Sequence, residues 1–189
     1  WSGGCFPGAR LPGRSGILGL QSDGLVDFTG ANAGIADITG TGSLILQPIT
    51  PGTDAQFNGS GAGLNVNTAL VNELSPAFTD ITIGNGDTGD VTLGAGTLTF
   101  QSPTTIQGAS IADTATAGST IISASGQQVT LNAFGAGGAA GTGFINVEGV
   151  DTSSTTGDGG SVSFTADLGD ITVGAIDASS STGTGGSVV

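Results

Sequence analysis

Short segments in which every second residue is apolar recur along this chain. They fall at residues 43–47, 80–84, 90–94, 97–101, 128–132, 144–148, 161–165 and 170–174. Within them, Leu44 and Leu46, Ile81 and Ile83, Val91 and Leu93, Leu98 and Phe100, and Val129 and Leu131 occupy alternate positions. Their partners are mostly Thr, Ser and Asn. A period of two with polar partners predicts β-strands that have one buried face and one wet face. Gly, Asn, Asp, Ser and Thr separate the segments, as turn chemistry requires. One stretch breaks the pattern. Residues 68–74 are rich in helix formers, Asn67 or Thr68 can cap them, and Pro76 follows closely. A single short helix is expected over 68–75, with Leu70 and Leu74 on one side covering the strands.

The last quarter of the chain repeats itself. Residues 150–162 return as residues 176–188, an interval of 26, and Ile145 and Val147 fall on Ile171 and Val173 at the same interval. A period of this size marks an architecture whose units bury their apolar faces only by stacking on one another. Twenty-six residues accommodate three strands of about five residues with corners between them, which is one coil of a β-solenoid. The expected fold is all-β, a right-handed parallel β-helix with coils of about 26 residues. Six or seven coils at about 4.8 Å each make a rod roughly 30 Å long. Residues 17–189 read as one solenoid domain, and residues 1–16, rich in Gly, Pro and Arg, as an irregular head.

Composition narrows the function classes. Thirty-seven of the 189 residues are Gly, and there is no His, Lys, Met or Tyr. The cations are Arg10 and Arg14; every acid lies after them, and the net charge is −13. A purely anionic body disfavours nucleic acid, because binding there depends on Lys and Arg displacing counterions from phosphate. It disfavours anionic membrane surfaces for the same electrostatic reason. No apolar run approaches the roughly 20 residues of a spanning helix. The abundant β-branched residues argue against disorder. Cys5 has no second Cys or any His to pair with, so it reads as an incidental thiol. The chain opens on Trp1 with no secretory leader and closes within a strand repeat, which suggests a fragment or a processed product.

Residues 40–131 carry an order of motifs that resembles a known family. Gly40-Thr-Gly-Ser-Leu-Ile-Leu-Gln-Pro-Ile-Thr50 precedes the helical 68–74 segment. Phe78-Thr-Asp-Ile-Thr-Ile-Gly84 and Leu98-Thr-Phe-Gln-Ser-Pro-Thr-Thr-Ile-Gln107 follow it. This order, with Gly169-Asp-Ile-Thr-Val-Gly-Ala-Ile-Asp-Ala-Ser-Ser180, is similar to the repeat region of filamentous-haemagglutinin-like large exoproteins of cyanobacteria and other Gram-negative bacteria. The resemblance implies a right-handed parallel β-helix, export to the bacterial cell surface, and a role in adhesion or extracellular fibres. The Asn-Pro motifs of that family's secretion domain do not occur here, so the likeness is to the shaft.

Few side chains could carry chemistry. Asp87 with Asp90, and Asp167 with Asp170, are the carboxylate pairs available to a β-helix glycosidase. Both sit beside Gly at strand entrances, where Asp ordinarily shapes turns. Asp151 and Asp177 share one repeat position and should stack on adjacent coils about 4.8 Å apart. Like charges so placed repel, so they are either screened or bridged by a hard cation such as Ca²⁺, the one candidate cofactor. Thr92, Thr97, Thr99, Thr130 and Thr172 would make an ice-binding plane if they aligned, although strand propensity also explains them. Asn58-Gly-Ser60 forms a glycosylation sequon that a Gly-rich turn easily produces by chance. The leading expectation is a non-enzymatic structural shaft of a secreted adhesin or filament. Its partners are further copies of itself, the rest of a longer exoprotein, or a surface glycan or receptor. A carbohydrate- or ice-binding module is the alternative, and a glycosidase the third reading.

Overall fold

Alternation turns out to be the local expression of a coiled ribbon. A computed structural model describes residues 16–26, 38–114, 121–135 and 143–189. The first coil contributes β1 (Ile17–Gln21), Leu25 and Ile38; the second contributes β2 (Ser43–Gln47), β3 (Ala55–Phe57), β4 (Leu64–Val66) and the helix α1 (Thr68–Asn72). The third coil holds β5 (Asp80–Ile83), β6 (Val91–Leu93) and β7 (Leu98–Thr99). The fourth holds β8 (Thr104–Gly108), β9 (Ile111–Asp113) and β10 (Ile122–Ser123). Then come β11 (Val129–Ala133) with β12 (Ile145–Asp151), and β13 (Val162–Ala166) with β14 (Ile171–Asp177). Every strand pair is parallel. The fold is therefore an all-β parallel β-helix.

Three faces make up its cross-section. The first is the sheet β1-β2-β5-β8-β11-β13. The second and third share one bent sheet, because the seven residues of β12 pair with β9 at one end and with β10 at the other. Inward residues stack in columns along the axis. On the first face Leu18, Leu44, Ile81, Thr104, Val129 and Val162 form one column, and Leu20, Leu46, Ile83, Ile106, Leu131 and Phe164 the next. On the third face Leu98, Ile122, Val150 and Ile176 stack in the same way. Thr104 is the polar member of these columns. It is buried, and its hydroxyl donates to the Ser102 carbonyl at 2.9 Å, so the group is satisfied within its own corner.

The echo at 26 residues is the register of the last coil. Ile145 pairs with Ile171, Val147 with Val173, Val150 with Ile176, and Asp151 with Asp177. Ser154–Ser180 and Val162–Val188 bridges continue it. A uniform 26-residue coil does not extend through the chain, however. On the first face the step is 26 residues from Ile17 to Ser43 and again from Val162 to Val188. It is 37 from Ser43 to Asp80, 23 from Ile81 to Thr104, 25 from Thr104 to Val129 and 33 from Val129 to Val162. The physical reason is that only strands are constrained to the 4.8 Å ladder, while corners on the surface accept insertions.

The 37-residue coil shows how such an insertion is absorbed. After β3 the chain turns back and lays β4 beside it as an additional rung, between β3 and Leu25 of the first coil. Gln56 braces this loop, donating to the Ala62 carbonyl and accepting from the Gly61 N–H. The helix follows as expected. Asn67 caps it, its side chain accepting from the Leu70 N–H at 2.8 Å. Leu70 and Val71 of the helix are buried in the core and the helix packs against β7 of the third face, while Leu74, just beyond it, bridges Ile38. No helix among the described residues is long and apolar enough to cross a membrane. Residues 1–15, with Cys5, Arg10 and Arg14, lie outside the described residues.

Candidate functional site

Corners are where a solenoid leaves backbone groups without ladder partners, and most of the acids are found there. Asp23 accepts from the N–H groups of Ile49 and Thr50 and from the Thr50 hydroxyl at 2.7–3.0 Å. Asp54 accepts from the Asp90 N–H at 2.9 Å, and Asp158 from the Thr184 N–H at 2.8 Å. Asp113 does the same for the Glu148 N–H. In all four the carboxylate is on the earlier coil and the donor on the later one. Charge-assisted bonds of this kind are the stronger ones. They give carboxylates of an acid-rich body backbone N–H donors in the absence of cationic side chains beyond residue 14.

The same logic absorbs most of the predicted site residues. Asp151 and Asp177 are stacked as expected. Each also closes its own corner: Asp151 accepts from the N–H and hydroxyl of Ser153, and Asp177 from the Ser179 N–H at 2.9 Å. The Ser179 hydroxyl and then its N–H hold the Asp177 carboxyl below the usual carboxylate range. Two carboxylates give part of the oxygen set that Ca²⁺ takes, which is about six to eight ligands. Among the described residues no group of three or more His, Cys, Asp or Glu comes together.

Of the proposed catalytic pairs, Asp90 accepts from the Ser110 hydroxyl at 2.6 Å and uses its own N–H on Asp54. Asp87 donates its N–H to the Asn85 side chain within a tight corner. Asp167 and Asp170 flank the corner between β13 and β14, and neither carboxylate accepts a hydrogen bond from the described residues. Asn58 stands at φ +52, and its side-chain oxygen accepts from the N–H and hydroxyl of Thr68. The sequon residue thus serves as a bracket at the start of the helix.

The five threonines picked out by sequence do not form a plane. Thr92 and Thr172 belong to the second face, in a column interrupted by Ala112 and Asn146. Thr99 lies on the third face beside Ser123, and Thr130 on the first. The coils instead align Thr82, Thr105, Thr130 and Ser163 on consecutive rungs of the first face. Sequence spacing hid this column, because the intervals between its members differ with every corner.

A groove of about 490 Å³ opens beside the last two rungs of the second face. Phe144, Ile145 and Asn146 line one side, and Leu168, Gly169, Asp170 and Thr172 the other. Its two walls are tied by the Ile145 N–H donating to the Asp170 carbonyl at 3.0 Å. Comparison with protein-family models, with curated proteins and with solved structures gave no match.

Proposed function

We propose that this chain is a non-enzymatic structural shaft, a stretch of parallel β-helix that spaces or carries other elements of a secreted bacterial surface adhesin or extracellular filament. One observation carries the reading: five acids join one coil to the next, and among the described residues no three of them come together. Asp23, Asp54, Asp113 and Asp158 each fasten one coil to the next, and Asp90 joins Ser110 on the following coil. Such a rod adds length and stiffness with every coil. The resemblance of the motifs in residues 40–131 and 169–180 to filamentous-haemagglutinin-like exoproteins favours the surface location.

Self-association belongs to the same proposal. Parallel-strand edges template further strands, and β14 presents Ile171 and Ile176 on an edge whose inner equivalents are buried. A further coil, from the same polypeptide or a second copy, would extend the ladder and build an open assembly.

Antibodies raised against the solenoid test the shaft reading on the source cells. Labelling of intact cells is expected; labelling only after lysis would refute a surface shaft. Negative-stain imaging over a concentration series tests the assembly arm, where short rods at every concentration would exclude head-to-tail growth.

A further inference from the structure

We infer that the groove between β12 and β14 is a binding site for a neutral saccharide. The inference goes beyond the shaft reading and does not depend on it. Ligand sites combine an apolar wall with a few polar groups in a concavity of about 300–1,000 Å³, and this groove has each of these parts. Half-buried Phe144 supplies an aromatic group, and Leu168, 49% exposed, adds apolar surface beside it. Asn146 and Thr172 face outward on adjacent rungs, in register, so their polar ends are spaced by about one ladder step of 4.8 Å.

Asp170 is the charged member of the groove. The carboxylates of Asp54, Asp90 and Asp158 are engaged by hydrogen bonds, whereas those of Asp87, Asp167 and Asp170 take none from the described residues, and of these three Asp170 is the one that lines the groove. The Asp170 carboxylate has no such partner among the described residues, nor do the Asn146 and Thr172 side chains. The groove therefore holds one carboxylate, one amide and one hydroxyl, all exposed and without a partner among the described residues, next to an aromatic ring. A pyranose fits that combination. Its C–H face covers the apolar wall, and its adjacent hydroxyls donate to the carboxylate and exchange bonds with the amide and hydroxyl. Gly169 keeps the two sides close, since a Cβ there would come within 2.8 Å of the Phe144 backbone.

Saturation-transfer NMR on the whole chain, with glucose, galactose, N-acetylglucosamine and cellobiose as separate probes, tests the site. Transfer to ring C–H protons is expected for at least one of them. Asp170→Asn should weaken that binding at least about tenfold, as loss of a bond to a charged group does, and Phe144→Ala should weaken it comparably. Asp87→Asn, at a corner away from the groove, should leave it unchanged. Asp170→Asn preserves size and breaks no internal bond, so it decides the matter if Phe144→Ala fails to fold by circular dichroism. No transfer to any of the four sugars overturns the inference. So does transfer that survives Asp170→Asn undiminished, or binding of lysine methyl ester in preference to every sugar.

Discussion

Replacing Ile106 by Ala tests whether the inward columns hold the rod together. Ile106 sits in the middle of the column Leu46, Ile83, Ile106, Leu131, and all four are fully buried. Removing three carbons forfeits about 2.4 kcal/mol of transfer free energy at about 0.8 kcal/mol each. The rigid rungs above and below allow little collapse, and the residual cavity raises the cost to about 3 kcal/mol. With a urea m-value of about 2 kcal/mol/M, the midpoint should fall by about 1.5 M. Thr105, the residue before it in β8, points outward, and Thr105→Ala should cost no more than about 0.5 kcal/mol. Paired urea titrations followed by circular dichroism read both values. Equal costs at 105 and 106, or a cost below about 1 kcal/mol at Ile106, would refute the columnar core.

Three further outcomes follow from the corners. Asp54→Ala leaves the Asp90 N–H without its acceptor and should cost about 1–2 kcal/mol in urea titrations, with Asp54→Asn recovering part of the loss. A Cβ at Gly160 would fall 1.9 Å from the Gln127 carbonyl oxygen, so Gly160→Ala should destabilise by about 2 kcal/mol or more and lower the melting temperature. The Thr50 hydroxyl and then its N–H hold the Asp23 carboxyl below its usual value, as Ser179 does for Asp177. Both groups therefore contribute stability that is complete above the unfolded value of about 3.9 and is lost as pH falls through the lower folded values. Melting temperature should drop steeply below about pH 4, and Asp23→Asn should flatten that drop; an unchanged slope would contradict the assignment.

Much of the fold was legible because strand alternation and the echo are local signals. All eight segments read from alternation coincide with strands, and the echo gave the β12–β14 register residue by residue. The rods of inward Leu, Ile and Val therefore came directly from the pattern. The short rungs β3, β4, β9 and β10 were not read from it, although Ala55 and Phe57, and Leu64 and Val66, alternate as Val91 and Leu93 do in β6. The β4 insertion was also hidden, because it depends on a return loop and not on any apolar rhythm.

The site was less legible. Corner bonds between carboxylate and backbone join residues whose separation varies from 26 for Asp158–Thr184 to 36 for Asp54–Asp90. Asp23–Ile49 shares the 26-residue interval, while Asp113–Glu148 and Asp54–Asp90 do not. The Thr82–Ser163 column and the Phe144–Asp170 groove likewise arise from coil stacking, which brings together residues with no fixed spacing.

Coil stacking itself is tested most directly by a distance along the outside of the first face. Gly19, Ile45, Thr82, Thr105, Thr130 and Ser163 occupy successive rungs in one outward column. Spin labels on Gly19→Cys and Ser163→Cys, with Cys5→Ser, are separated by five rungs, and pulsed electron resonance should give a narrow distribution near about 24 Å. A Gly-rich chain of the intervening length without the coils would average roughly 60–70 Å. A broad distribution in that range would contradict the parallel β-helix.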